Sequence, residues 1–478
     1  MEAKTHIALV TIPVFSHQVS LLEFAKRLNH LYKNSFQVTC IIPTISDSPS
    51  ISSKHYFDDL PSNIQCIFLP PINFEDLRSE SLVLESQVQI AVTRSMPLVC
   101  ETLRSISSSS NVVALIVDSF VHEAHEFAKE LNILSYIYFP CSAMVLSMCL
   151  YSSKLDETIT CEYKDHPQPI EIPGCMSVQG TDLPDSLQNR SSLAYKLFLH
   201  RSQQLRQADG IIINSFHEME SKALKAISLI SPKNLYGTTF DVYPVGPIIQ
   251  TRPNIKKHAC ECWLDNQQPK SVLYISFGSG GTLSQDQINE LALGLELSNH
   301  KFLWVNVRPP NNKATASYLS NEEMDPLHFL PLGFLQRTKG QGFVMCGWAP
   351  QVEVLKHKAI GAFLTHCGWN SILESIVHGV PMIAWPLFAE QRSNAALVTN
   401  GLKIAMRTKY NSKGIVVKEE VANIIKGIME GLESGEIRRR MKELQKFANC
   451  AIMENGSSMK TFSLLALKWK SLSRPIED

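Results

Sequence analysis

Short apolar runs, separated by amphipathic stretches, set the pattern of this chain. His6–Ile12, Phe36–Ile42, Ile64–Leu69, Val112–Val117 and Leu134–Phe139 are rich in β-branched residues and read as strands. Val112–Val117 is apolar at almost every position, as expected of a parallel strand buried on both faces. Between these runs the period changes. Ser20–Leu31 places Leu21, Leu22, Phe24, Ala25 and Leu28 at helical spacing, a long helix is expected within Leu82–Ile106, and Phe120–Leu131 and Ser191–Gln207 read as helices. Ile211–Asn214 returns a strand. Lys154–Arg190 is polar, rich in Pro and Gly, and is predicted to be mostly loop. Tyr243–Lys257 has three prolines and no helical period, and reads as an interdomain linker.

A second alternation starts at Ser271. Strands are predicted at Val272–Phe277, Phe302–Val307 and Gly342–Cys346, a helix at Gln285–Leu297, and a polar loop at Arg308–Leu330. Ala359–Thr365, Trp369–His378 and Met382–Trp385 form a strand, helix and strand. Helices follow at Ser393–Thr399, Lys418–Glu430, Glu436–Ala451 and Lys460–Leu472. Alternating strands and helices predict an α/β fold with two doubly wound parallel sheets.

With 478 residues, the chain is long for one hydrophobic core, so two domains fit it better. Formal net charge is zero, which offers no basic field for nucleic acid. The opening MEAKTHIALVTIPV enters a strand directly, and no signal peptide is expected. No uncharged apolar run reaches the roughly 18 residues of a membrane span. Twelve cysteines without framework spacing predict reduced thiols and a cytoplasmic location. Cys260-x-Cys262 lacks partners for zinc and does not match the redox spacing.

The densest chemistry lies between Trp348 and Gln391. His366, Cys367 and Gly368 make a turn between a strand and a helix. Such a turn presents unpaired N–H groups and a helix dipole at the sheet's carboxyl edge, which favours an anion. Gly278-Ser279-Gly280-Gly281 is a second small-residue turn. It is no dinucleotide fingerprint, because Leu283 holds the third glycine position, and no nucleophile elbow, because Phe277 holds the first. In the first half, His17 follows the first strand and Asp118 ends the fourth. Adjacent strand ends could bring the two together as a base and its orienting carboxylate. Equally, the same residues could be a helix-capping His and an Asp capping the Phe120 helix.

The segment from Trp348-Ala-Pro-Gln351 through His366-Cys-Gly-Trp-Asn-Ser371 and Glu374 to Glu390-Gln391 resembles the plant secondary-product signature of family 1 UDP-glycosyltransferases. The runs SFGSGGTLS and LLEFAKRL resemble its hydroquinone and monolignol glucosyltransferase branch. This resemblance implies the GT-B fold, two Rossmann-like domains facing a cleft. It assigns 1–245 to the acceptor, 246–258 to the linker, 259–455 to the UDP-sugar, and 456–478 to a helix returning to the N-terminal domain.

The resemblance also implies roles. Trp348 stacks on uracil, and the Ala349 backbone and Gln351 contact base or ribose. Glu374 takes the ribose hydroxyls. His366, Gly368, Trp369, Asn370, Ser371 and Ser279 surround the diphosphate. Phe388, Glu390 and Gln391 border the sugar, with Gln391 favouring glucose. His17 and Asp118 form the family's catalytic dyad, and Ser16, Phe120, Phe139, Met144, Leu183, Leu187 and Phe198 line an acceptor pocket. Relatives usually carry Gly and Pro where Ser16 and Ser20 stand, so the loop around His17 should differ.

The implied activity is inverting, metal-independent transfer of glucose from UDP-glucose to a small phenolic acceptor of flavonol, hydroquinone or monolignol type. The expected protein is a monomer without a bound cofactor, nucleic-acid partner or membrane span. Alternatives are another UDP-sugar such as galactose or xylose, a nucleotide-sugar-binding protein without turnover, and a double-Rossmann dehydrogenase.

Overall fold

The computed structural model describes residues 4–32, 35–45, 56–73, 82–230, 241–251, 257–316 and 325–472. The chain divides into two compact units, 1–250 with 448–478 and 251–447. Parts of the expected linker (252–256) and of the polar loop Arg308–Leu330 (317–324) lie outside the described residues.

The first unit holds a seven-stranded sheet: β1 (Thr5–Val10), β2 (Phe36–Ile42), β3 (Ile64–Phe68), β4 (Val112–Asp118), β5 (Leu134–Phe139), β6 (Gly210–Ile213) and β7 (Asp241–Pro244). Its spatial order is β3-β2-β1-β4-β5-β6-β7, and every pairing is parallel. All of β4 is buried, which matches its unbroken apolar run. The order reverses between β1 and β4, where Val10 lies opposite Val117. In a doubly wound sheet such a reversal leaves a crevice at the carboxyl ends of the two strands.

The second unit repeats this plan. Strands β8 (Val272–Ser276), β9 (Lys301–Trp304), β10 (Gly342–Val344), β11 (Ile360–Thr365), β12 (Met382–Ala384) and β13 (Ala405–Arg407) run in the order β10-β9-β8-β11-β12-β13. Here the reversal falls between β8 and β11, with Ser276 opposite Thr365. Both sheets therefore have the Rossmann strand order.

Several expectations are corrected. The first helix runs Phe15–Leu31, so Ser16, His17 and Ser20 are helical and no loop surrounds the histidine. The Gln18 amide donates to the Ile12 carbonyl and ties this first turn to the strand before it. Tyr243 and Pro244 belong to β7, not to a linker. A proline is tolerated there because β7 is an edge strand and Pro244 is its last residue. The helix Ala143–Thr158 has no clear period, because it is buried on nearly all sides over its first two turns. A helix at His217–Ile230 was likewise not predicted; its Glu220 carboxylate, buried, accepts from the Ala143 and Met144 amides and caps the preceding helix. No described helix is long and apolar enough to cross a membrane.

The last helix, Ser457–Lys470, completes the core of the first unit. Phe462 stacks on Phe24 at 5.4 Å. Trp469 is fully buried and meets Phe24, Phe36 and Tyr136 edge-on at 6.5, 6.4 and 5.6 Å. These contacts join residues from opposite ends of the chain around β1, β2 and β5. Trp469→Ala should destabilise the first unit by about 3–5 kcal/mol. Denaturant melts should show a lower midpoint for that unit, and an unchanged midpoint would place its stability elsewhere.

Candidate active site

Each sheet carries its chemistry at its reversal point. In the first unit β4 ends in Asp118, which is 1 % exposed. Its Oδ2 accepts from His17 Nδ1 at 2.7 Å. Its Oδ1 accepts from the Phe120 amide at 3.1 Å and, more weakly, from Ser119 Oγ at 3.4 Å. The carboxylate thus orients the histidine and caps the turn Ser119–Val121 at once. Asp118 therefore pairs with His17 and caps the turn at Phe120, while His17 stands inside the first turn of its own helix and does not cap it. With Nδ1 donating to Asp118, the assigned tautomer puts the imidazole lone pair on Nε2. Partly exposed, His17 keeps access to solvent.

Phe120 meets the His17 ring edge-on at 6.3 Å, and Gln89 Nε2 holds the Phe120 carbonyl. Phe120 and Ser16 are half-buried. Phe139, Met144, Leu183, Leu187 and Phe198 are buried packing residues on the neighbouring elements.

In the second unit the two small-residue turns meet across β8 and β11. Gly278 has φ +78°, and a Cβ there would lie 2.6 Å from His366 Nε2. A Cβ at Gly368 would lie 2.5 Å from the same atom. The two glycines therefore leave room for the His366 ring between their loops. Asn306 Nδ2 holds the Gly278 carbonyl at 2.6 Å, and Arg308 holds the Ser279 carbonyl at 3.0 Å. Burial pushes the His366 pKa down to about 4, so the ring is neutral near pH 7 and offers a hydrogen bond rather than a charge. Its Nδ1 has no partner among the described residues.

The helix Trp369–His378 follows its N-cap residue Gly368, which has no side chain of its own to cap the first-turn amides. Those amides point to the reversal point, the geometry that suits an anion. Trp369 faces inward as packing, while Asn370 is half-buried. Ser371 and Glu374 share one helical face. Gln351 Nε2 donates to Ser371 Oγ at 2.9 Å and to Glu374 Oε2 at 2.7 Å, and Gln351 Oε1 accepts from Tyr274 at 3.1 Å. Gln351 is thus a tie between the helix and β8. Trp348 is 44 % exposed, whereas Ala349 beside it is buried.

Gln391 Oε1 accepts from the Leu387 and Phe388 amides at 2.9 and 3.1 Å, which fixes the orientation of its amide with the NH2 group on the side away from those two donors. Asn394 was not singled out from sequence. Its Nδ2 bridges Glu390 Oε1 and the Cys367 carbonyl, both at 3.1 Å, and so fixes Glu390 to the turn. Its position four residues after Glu390 was the available signal. Among the described residues no group of three His, Cys, Asp or Glu side chains is placed to hold a metal ion.

Three buried histidines make stability depend on pH. Burial, first of all, holds His366 and His122 at about 4 and His125 at about 3, below the usual 6.5. The unfolded chain then binds more protons than the folded one below pH 6.5, so stability is fully present above that pH and is lost as pH falls toward about 3. Melting temperature should decline across this window. His125→Leu, at a site where neither ring nitrogen is hydrogen-bonded, should make the decline shallower; an unchanged slope would show that other groups control it.

Comparison with known proteins bears directly on this arrangement. Residues 240–435 match the UDP-glucoronosyl and UDP-glucosyl transferase family. The hydroquinone glucosyltransferase of Rauvolfia serpentina is 45 % identical, over 98 % of this chain and 99 % of that protein. Arabidopsis thaliana UDP-glycosyltransferase 72B1 is 44 % identical, over 100 % and 99 %. Phytolacca americana UGT2, solved with UDP-2fluoro-glucose and pterostilbene, superposes with a TM-score of 0.87 at 40 % identity, covering 97 % of this chain and 99 % of that one. Likeness over nearly the whole length, joined to two Rossmann-ordered sheets, places the chain among the plant family 1 UDP-glycosyltransferases of GT-B fold, near the hydroquinone and monolignol branch.

Proposed function

We propose that this glycosyltransferase moves glucose from UDP-glucose to the hydroxyl of a small phenol, with inversion at the anomeric carbon and without a metal ion. The observation that carries the reading is the 2.7 Å bond between His17 and the buried Asp118. The printed activities of relatives support it: one acts on hydroquinone, and a Polygonum tinctorium UDP-glucosyltransferase glucosylates indoxyl.

On this reading His17 Nε2 takes the phenolic proton as the phenol oxygen attacks the anomeric carbon. The new carbon–oxygen bond forms on the face opposite the diphosphate, whose bond to that carbon breaks, and UDP departs with the electron pair. An α-linked donor then gives a β-glucoside. Asp118 holds the Nδ1–H and stabilises the imidazolium. Because its second oxygen is held by the Phe120 amide, the carboxylate keeps one orientation through the proton transfer.

The donor groups fall to the second unit. Exposed Trp348 offers its face to uracil. Glu374, held by Gln351, accepts ribose hydroxyls. The helix entrance at Gly368, the turn at Ser279 and neutral His366 donate to the diphosphate, so the charge on departing UDP meets fixed dipoles. The Gln391 NH2 group and Glu390 meet glucose hydroxyls.

His17→Ala should lower kcat by on the order of 10²–10⁴ while the UDP-glucose Kd changes little. Asp118→Asn should lower kcat by a similar order, since the amide can still cap the turn but cannot stabilise the imidazolium. Mass spectrometry of products from UDP-glucose and mixed phenols should show added hexose. No glucoside with any phenol would leave a sugar-nucleotide-binding protein without this activity, and an unaltered His17→Ala rate would remove the dyad.

A further inference from the structure

Arg201 stands apart from the other half-buried arginines of the first unit. Arg27 donates to the Pro247 carbonyl, and Arg190 pairs with Asp156. Arg201, on the helix Leu193–Gln204, has its guanidinium carbon 3.9 Å from the centre of the Phe120 ring and 5.7 Å from that of Phe198. No carboxylate or carbonyl among the described residues accepts from it. A guanidinium stacked on aromatic faces is held in place by its π surface. The N–H groups around its edge stay available as a planar fork that matches a carboxylate.

Its position gives that fork a meaning. Phe120 is also the ring that meets His17. Arg201 can be no farther from the imidazole than the His17–Phe120 and Phe120–Arg201 distances laid end to end. That span is comparable to the length of a phenol carrying a para carboxylate or a propenoate chain.

A second, independent feature lies beside it. His122 is 4 % exposed, and neither ring nitrogen makes a well-formed hydrogen bond to the described residues, although the Ser119 main chain lies near the ring. After burial, the charges of Arg201 and His200 hold this ring neutral. A neutral buried imidazole keeps one donor and one acceptor, and leaving both unused is costly. A polar group entering beside Arg201 would satisfy it.

We infer that Arg201 is a specificity-determining residue that anchors an acceptor carboxylate, and that the preferred acceptors are hydroxybenzoate- or hydroxycinnamate-type acids glucosylated on their phenolic oxygen. This rests on the phenol-transferase reading above. The carboxylate remains intact and makes no bond to glucose; it positions the ring so that the phenol reaches His17.

The test pairs each acid with its neutral ester: 4-hydroxybenzoate with methyl 4-hydroxybenzoate, and ferulate with methyl ferulate. Arg201→Leu, which keeps apolar contact with Phe120 and Phe198, should raise KM for the acids about tenfold or more and for the esters less than about twofold. Arg201→Lys should fall between, because it keeps the charge and loses the fork. The UDP-glucose Kd should not move. Equilibrium binding of the same acids and esters, which needs no turnover, separates the two claims. A protein that binds the acids through Arg201 but forms no glucoside loses the proposed activity and keeps this one. Equal effects on acid and ester, no effect, or a shift in UDP-glucose affinity instead would overturn it.

Discussion

The reversal of strand order, once in each sheet, is the constraint on which the rest depends. Parallel strands need long crossovers, and right-handed crossovers in opposite senses from a central strand put helices on both faces. Where the sense changes, two strand ends diverge and no crossover fills the gap. In the first sheet that gap lies between Val10 and Asp118, and in the second between Ser276 and Thr365. His17, Phe120, Gly278, His366 and Gly368 follow closely on these four strand ends. The surrounding core, including the aromatic contacts of Phe24, Phe36 and Trp469, keeps those strand ends fixed.

On the proposed function the two gaps serve different tasks. The first is organised around one buried carboxylate with both oxygens in use, so the histidine it holds has a defined tautomer and direction. The second is organised around absent side chains. Gly278 and Gly368 make room for a neutral imidazole, and the helix turn that starts after Gly368 offers dipoles instead of formal charge. A proton acceptor needs a partner that stabilises its charged form. A diphosphate brings its own charge and needs donors that are already aligned. Around each gap, amide side chains hold the working groups in place: Gln351 for Glu374, Asn394 for Glu390, and Gln89 for the Phe120 backbone.

What was legible in the sequence follows from local physics. The buried parallel strands announce themselves by unbroken apolar runs, as in Val112–Val117, and Trp369–His378 is bounded by glycines that serve as its caps. The helix Ala143–Thr158 was invisible because burial on nearly every side erases the period that a half-exposed helix shows. Strand β7 was hidden by its proline, which only an edge position permits. The first helix was read too short because polar Ser16, His17 and Gln18 break the apolar period, although the backbone bond from His17 N to Val14 O already starts the turn.

By itself the sequence determined the fold class, because that depends on local periodicity, and through its resemblance to a family it named a candidate sugar-nucleotide segment and a candidate base with its carboxylate. Only the tertiary structure decided that Asp118 both caps a turn and holds His17, that His366 is an uncharged ring between two glycines, and that Arg201 stacks on Phe120 with no acceptor for its N–H groups among the described residues. Each of these depends on residues far apart in the chain, 101 positions in the case of His17 and Asp118. Their meeting is set by strand order and burial, which no local pattern encodes.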